Sequence, residues 1–208
     1  MVAVLPADFF LLSFFSLVAV INPLSKIAIF PILLSSYSWR ERRKTITLGA
    51  IIAFLSVSAL LSASEYLLGA LMNYLVIIKI VGGVVLLYTA ANLIFKKRYA
   101  KRLSKYRVPL LRFRKRYLLS PIVFPLYVGG GTFVVSILLF VQARTPVLKS
   151  IFFISLFFAY FVNYLAALYS DRIYSRFGSA TFVLGKLAGF LIACFSLLLI
   201  LDGFMSSL

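Results

Sequence analysis

Ile21-Asn22-Pro23-Leu24-Ser25-Lys26 sits inside an apolar run that begins near Phe9 and continues past Pro31. The run holds no turn cluster and is long enough to cross a bilayer, for which about 20 apolar residues suffice. Proline has no amide hydrogen and its ring clashes with the preceding turn, so the run reads as one helix broken at Pro23. Asn22, just before it, is biased away from the helical region. Inside a membrane, irregular backbone persists only where protein buries it or where it lines a wet cavity. With Lys26 close behind, the break reads as a functional site, because ionisable groups at membrane depth mark sites by default. The plainer alternative is a packing kink with Lys26 snorkelling.

A second interruption falls at Pro121-Ile122-Val123-Phe124-Pro125-Leu126-Tyr127-Val128-Gly129-Gly130-Gly131-Thr132. Consecutive glycines permit almost any backbone conformation and let another backbone or a ligand come close.

Composition fits this reading. Of 208 residues, 63% are hydrophobic and 13% charged, with a mean hydropathy of +1.06. Ordinary soluble domains carry about a quarter charged residues. The apolar runs are continuous rather than alternating, so the expected class is an all-α polytopic membrane protein, not a β-barrel. Cys194 is the only cysteine and reads as a small core hydrophobe in the last helix. The N-terminus has no basic stretch and no small-residue cleavage site, so it reads as the first span.

Six spans are expected, at about 9–35, 45–64, 74–95, 118–141, 147–169 and 181–205. Lysine and arginine decide their orientation. The loops after spans one, three and five hold 17 of them, eleven in residues 96–116, whereas the opposite side holds only Arg144 and Lys149. The positive-inside rule puts the basic loops in the cytoplasm of a cell-membrane protein and both termini outside. The 96–116 loop has no acidic residue and is suited to anionic lipid headgroups, each basic residue near the surface contributing about 1 kcal/mol. Nothing in it resembles a folded nucleic-acid-binding module, so nucleic acid is not an expected partner. In span two, Gly49, Ala53, Ser56, Ala59 and Ala63 form an expected close-packing face.

The chain also repeats. Lys79-Ile80-Val81-Gly82 in span three resembles Lys186-Leu187-Ala188-Gly189 in span six, 107 positions later. The same displacement carries Pro23 onto Gly130, inside the second break. Three spans per half is an odd number, so the halves must be inverted relative to each other. The expected organisation is a first three-helix repeat over 1–95, a basic loop over 96–117 and a second repeat over 118–208. Inverted repeats with a broken helix in each half are a transporter architecture, with the site near the midplane between the breaks.

Together these features resemble the MarC-related family of six-span membrane proteins, which includes the SnatA-like transporters of small neutral amino acids. The likeness is carried by Asn22-Pro23 with Pro31, by Gly82-Gly83, and by Pro121, Pro125, Gly129, Gly131 and Thr132 in that order. It covers nearly the whole chain outside the basic loop. In that family the second break usually reads Gly-Pro-Gly, where this chain has Gly130 in the middle. Arg mostly stands where this chain has Lys79, and often Gly where it has Ser25. The resemblance implies transport or export of small neutral amino acids, with proton coupling as one option.

The five acidic residues, Asp8, Glu41, Glu65, Asp171 and Asp202, all fall at or beyond span ends, and there is no histidine. That removes aspartyl proteolysis, metal hydrolysis and the usual carboxylate proton relay. Ser25 and Lys26 are adjacent, and adjacent helical residues do not face each other, so a Ser–Lys nucleophile is not expected. A P-loop is absent. Neither an enzyme nor a cofactor nor a metal is expected.

What remains suits a small zwitterion. Half-helix N-termini favour its carboxylate, and opened carbonyls its ammonium. The candidate substrate-binding residues are Asn22, Pro23, Ser25, Lys26, Gly129, Gly130, Gly131 and Thr132. Lys26 is the candidate carrier if transport is proton-linked. Lys79, Lys186 and Asn163 are secondary candidates. For the two lysines, snorkelling or carbonyl capping is the favoured reading, and for Asn163 a helix–helix hydrogen bond. The expected function is secondary transport; a non-transporting membrane scaffold or regulatory subunit is the alternative, and a channel a third.

Overall fold

The structure, a computed structural model, describes residues 5–35, 37–71, 75–95 and 127–206. The basic loop 96–117, together with Pro121 and Pro125, lies outside them. Among the described residues all regular structure is helical: α1 Pro6–Ile21, α2 Pro23–Leu33, α3 Trp39–Leu71, α4 Leu75–Phe95, α5 Gly130–Gln142, α6 Pro146–Leu168 and α7 Ser170–Met205. Among the described residues five stretches are long and apolar enough to cross a membrane: Pro6–Pro31, Trp39–Ser64, Leu75–Phe95, Pro146–Leu168 and Val183–Met205; Gly130–Gln142 is shorter.

Local chemistry sets the helix starts. Pro6 and Pro146 each occupy a first helical turn, where a missing amide hydrogen costs nothing. Thr145 caps α6, its hydroxyl oxygen accepting the Leu148 amide at 3.2 Å. Ser38 and Glu41 form a capping box: the Ser38 amide donates to Glu41 Oε2 at 3.2 Å, and the Glu41 amide to Ser38 Oγ at 3.5 Å. This box starts α3 at Trp39, well before the expected span start at Thr45. The last helix likewise starts at Ser170 rather than near Thr181; its polar first turns continue the helix, which bends at Phe177 (φ −128°, ψ 23°).

Small residues let the helices approach. A Cβ on Gly203 would meet Ile80 Cγ1 at 2.7 Å, and one on Gly189 would meet Leu93 Cβ at 2.9 Å. Late residues of α7 therefore face early residues of α4, and the two lie antiparallel in close contact. Gly83 faces Ser196 and Ile200 of α7, whereas its neighbour Gly82 faces Val134 of α5. On the other side, α1 and α6 are joined by the edge-on Phe10–Phe158 pair, ring centroids 6.3 Å apart. Phe54 of α3 packs edge-on against Tyr160 of α6 at 6.0 Å. The core runs through Leu17, Ile21, Phe30, Leu86, Tyr127, Phe152 and Leu156, all buried.

The outward faces stay apolar, with Phe190, Leu191 and Leu198 all more than 60% exposed. Such a surface suits lipid and would be costly in water. Two expectations need correction. In α3 the buried row is Ile46, Gly49, Ala50, Ala53, Val57, Leu61 and Ser64, so the expected Gly49 and Ala53 are buried and Ser56 half-buried, while Ala59 and Ala63 face outward. Helical spacing, not side-chain size, chose that face. Cys194 is exposed rather than buried, because α7 turns Gly189, Ile192 and Ser196 inward instead.

Candidate functional site

Asn22 ends α1 and begins α2 in one residue. It is the only non-glycine residue with positive φ among those described, at φ 55° and ψ 85°. Asparagine tolerates this left-handed conformation because its short amide bonds locally. Here Asn22 Oδ1 accepts the Ser25 amide at 3.3 Å, and Ser25 Oγ donates to the Asn22 carbonyl at 2.7 Å. Asn22 Nδ2 is buried and has no partner.

Lys26 is fully buried. Its Nζ donates to the Ile21 carbonyl and, at 3.4 Å, to the Asn22 carbonyl. These groups form the negative end of the α1 dipole, a natural place for a cation. The same ammonium lies 5.3 Å from the ring centre of Tyr127, on the segment leading into α5. The first break is thus largely satisfied by its own residues, plus one aromatic ring from the second.

The second break is different. Gly129 stands at the head of α5 in extended conformation (φ −86°, ψ 163°) and offers no side-chain cap. Its carbonyl accepts the amides of Thr132 at 3.0 Å and Phe133 at 3.3 Å. The earliest amides of a helix have no carbonyl of their own helix to bond, so α5 presents donors to whatever lies before it.

What lies before it is a cavity of about 100 Å³ between the two breaks. Asn22, Ser25, Thr89, Gly129, Gly131 and Thr132 supply its polar wall. Val20, Ile21, Leu86, Leu93 and Ile192 supply the apolar one. Pockets for drug-sized ligands run to about 300–1,000 Å³, while one water needs about 10–15 Å³ by this measure. The space therefore suits a solute of a few heavy atoms.

Five of the candidate residues come together here: Asn22, Ser25, Gly129, Gly131 and Thr132. The others do not line the cavity. Pro23 forms the first turn of α2, Lys26 turns back onto the end of α1, and Gly130 is exposed, facing Val85. Lys79 lies where α4 starts and α7 ends, paired with Asp202 at 2.8 Å and donating to Ser206 Oγ at 3.2 Å. Lys186 sits on an exposed face of α7. Asn163 is buried, but its Nδ2 donates at 2.9 Å to the Ala159 carbonyl of its own helix, so it makes no helix–helix bond through that group. Ser25 Oγ and Lys26 Nζ each bond backbone carbonyls of the break.

Sequence reasoning missed Thr89, whose hydroxyl bonds the Val85 carbonyl at 2.9 Å and faces the cavity, along with Leu86, Leu93 and Ile192. It also missed a polar cluster where α3 and α7 begin. Arg42, 5% exposed, pairs with Asp171 and donates to Ser170 Oγ at 2.7 Å. A span-end arginine in a basic loop gives no signal of such a partner.

Comparison with known proteins matches residues 7–208 to the family described as MarC family integral membrane protein. Over 197 residues, 93% of this chain and 91% of the relative, it is 25% identical to a UPF0056 membrane protein of Aquifex aeolicus. It is 24% identical over 205 residues to a UPF0056 membrane protein of Archaeoglobus fulgidus, covering 97% and 94% of the two chains. A UPF0056 membrane protein of Methanocaldococcus jannaschii is 22% identical over 202 residues, covering 97% and 98%. No solved structure matches.

Proposed function

This chain belongs to the MarC family of integral membrane proteins, and we propose that it is a secondary transporter of small neutral amino acids or similar small solutes. The observation that carries the reading is the cavity between the two breaks, lined by Asn22 and Ser25 from the first and by Gly129, Gly131 and Thr132 from the second. A carboxylate placed there gains a side-chain amide and helix-terminal amides at once. The apolar wall of Leu86, Leu93 and Ile192 receives a small hydrocarbon side chain.

In this reading the chain has six spans in two inverted halves, and one half rocks against the other to open the cavity to each side in turn. The protein lies in the cell membrane with both termini outside. Residues 96–116 rest on anionic headgroups of the cytoplasmic leaflet. Replacing Ser104 by Cys on a Cys194→Ser background tests the orientation: labelling of intact cells by an impermeant reagent would overturn it.

The function itself is tested in proteoliposomes. Saturable uptake of labelled glycine or alanine, with counterflow, is the expected result. Uptake that rises linearly with concentration and lacks counterflow would make the protein a channel. Liposomes inert across a panel of small solutes would make it a scaffold or regulatory subunit.

A further inference from the structure

Lys26 is an expensive residue in its position. A fully buried ammonium loses its hydration, and none of the carboxylates among the described residues pairs with it: Asp171 is held by Arg42 and Asp202 by Lys79. The break explains what the ammonium does there. Asn22 turns the chain through a left-handed conformation, and the Ser25 amide, which would bond the Ile21 carbonyl in a continuous helix, bonds Asn22 Oδ1 instead, leaving carbonyls at the end of α1 for other donors. Lys26 Nζ reaches two of them, at Ile21 and Asn22, and its remaining face lies over the Tyr127 ring. Carbonyl oxygens at the C-terminal end of a broken helix are the ligands by which carriers of this architecture hold a small monovalent cation. An aromatic face is a further cation ligand. Because Ile21 and Asn22 belong to the first break and Tyr127 leads into the second, the charge ties the two breaks together beside the cavity.

We propose that Lys26 is a tethered cation, filling the place between the two breaks that a bound alkali ion would otherwise take, so that this carrier works without sodium. The proposal rests on the transport reading for its consequence in uptake, but not for its structural half. The four-carbon stem brings the charge from α2 back to the end of α1, and no ion has to bind or leave during the cycle.

Lys26→Ala removes the charge and leaves space for a free cation; Lys26→Met removes the charge and fills the space. Purified parent and variants are melted in choline, sodium, potassium and methylammonium chloride at equal ionic strength. The parent is expected to melt alike in all four. Lys26→Ala melts lower in choline and regains about 5–10 °C in sodium, potassium or methylammonium at a hundredfold excess over the dissociation constant. Lys26→Met stays low in every salt. The proposal is overturned if Lys26→Met melts like the parent, or if no cation raises Lys26→Ala above its choline value. Uptake by the parent that requires external sodium overturns it whatever the variants do, and keeps the test open should Lys26→Ala not fold. A parent with no uptake in any salt defeats the transport reading alone, while the melting series still decides the tethered cation.

Discussion

Replacing Asn22 separates its backbone role from its part in the cavity. Two features coincide at this residue: left-handed φ of 55°, and a buried Nδ2 with no partner among the described residues. Asn22→Gly keeps the left-handed backbone without strain and costs the helix cap only a few tenths of a kcal/mol. Asn22→Ala adds about 1–2 kcal/mol for a left-handed β-carbon. Alanine should therefore melt below glycine by about 2–8 °C in a chain of this length. Both variants lose the same donor. A hydrogen bond to a charged acceptor contributes about 1.5–3 kcal/mol, so apparent affinity for glycine or alanine should fall about 10–150-fold in each. Detergent melting curves and concentration-dependent uptake read the two effects separately. Equal melting of the two variants would refute the strain argument. Parental affinity in Asn22→Gly would refute the placement of the substrate carboxylate.

Gly131→Leu should abolish uptake while the protein still inserts, because even a Cβ there would stand 2.5 Å from Leu86 Cδ2 and 3.2 Å from Val20 Cγ1; membrane yield and uptake measured together check this. Asp171→Ala should lower the melting temperature by about 2–10 °C, since it leaves the buried Arg42 guanidinium short of its partner at a cost of about 1–3 kcal/mol. Lys79→Met breaks the more exposed pair with Asp202 and should cost under about 1 kcal/mol in the same assay. In competition against labelled alanine, propionate should inhibit and ethylamine should not, because the cavity is richer in free donors than in free acceptors; the reverse order would place the ammonium, not the carboxylate, at the start of α5.

The first break was legible because its chemistry is local. Proline without an amide hydrogen, asparagine before it and lysine after it are enough to predict a broken helix, and Asn22 carries the break alone. The second break was legible as a run of glycines, but the run did not say which glycines face the cavity. Gly129 and Gly131 line it, while Gly130 between them points to Val85. A repeat offset aligns positions and says nothing about helix phase. The apolar wall was illegible for another reason. Leu86 stands beside the cavity against Gly131 of α5, and Gly189 lets α7 close on Leu93 of α4, and the sequence marks those glycines as small without naming what they meet. Arg42 and Asp171 are far apart in sequence and unremarkable singly, so their pairing could come only from the fold.

The two breaks are not equivalent, although the repeat would make them so. Each break of this kind has a carbonyl end and an amide end. In the first, the carbonyls of Ile21 and Asn22 are taken by Lys26 and Ser25, and the Ser25 amide is taken by Asn22 Oδ1. Among the described residues no side chain caps the start of α5 at Gly129. The cavity therefore has one wall already balanced by the chain's own charge and one still offering amides. A zwitterion entering it can give its carboxylate to the second break, but it meets carbonyls in the first that already hold an ammonium. In the transport reading the strong recognition falls on the carboxylate. The substrate's ammonium is left to the Ser25, Thr89 and Thr132 hydroxyls, which hold it more weakly than opened carbonyls would. Lys26 thus satisfies the broken end of α1, and in the transport reading it also biases the cavity toward the anionic end of its solute.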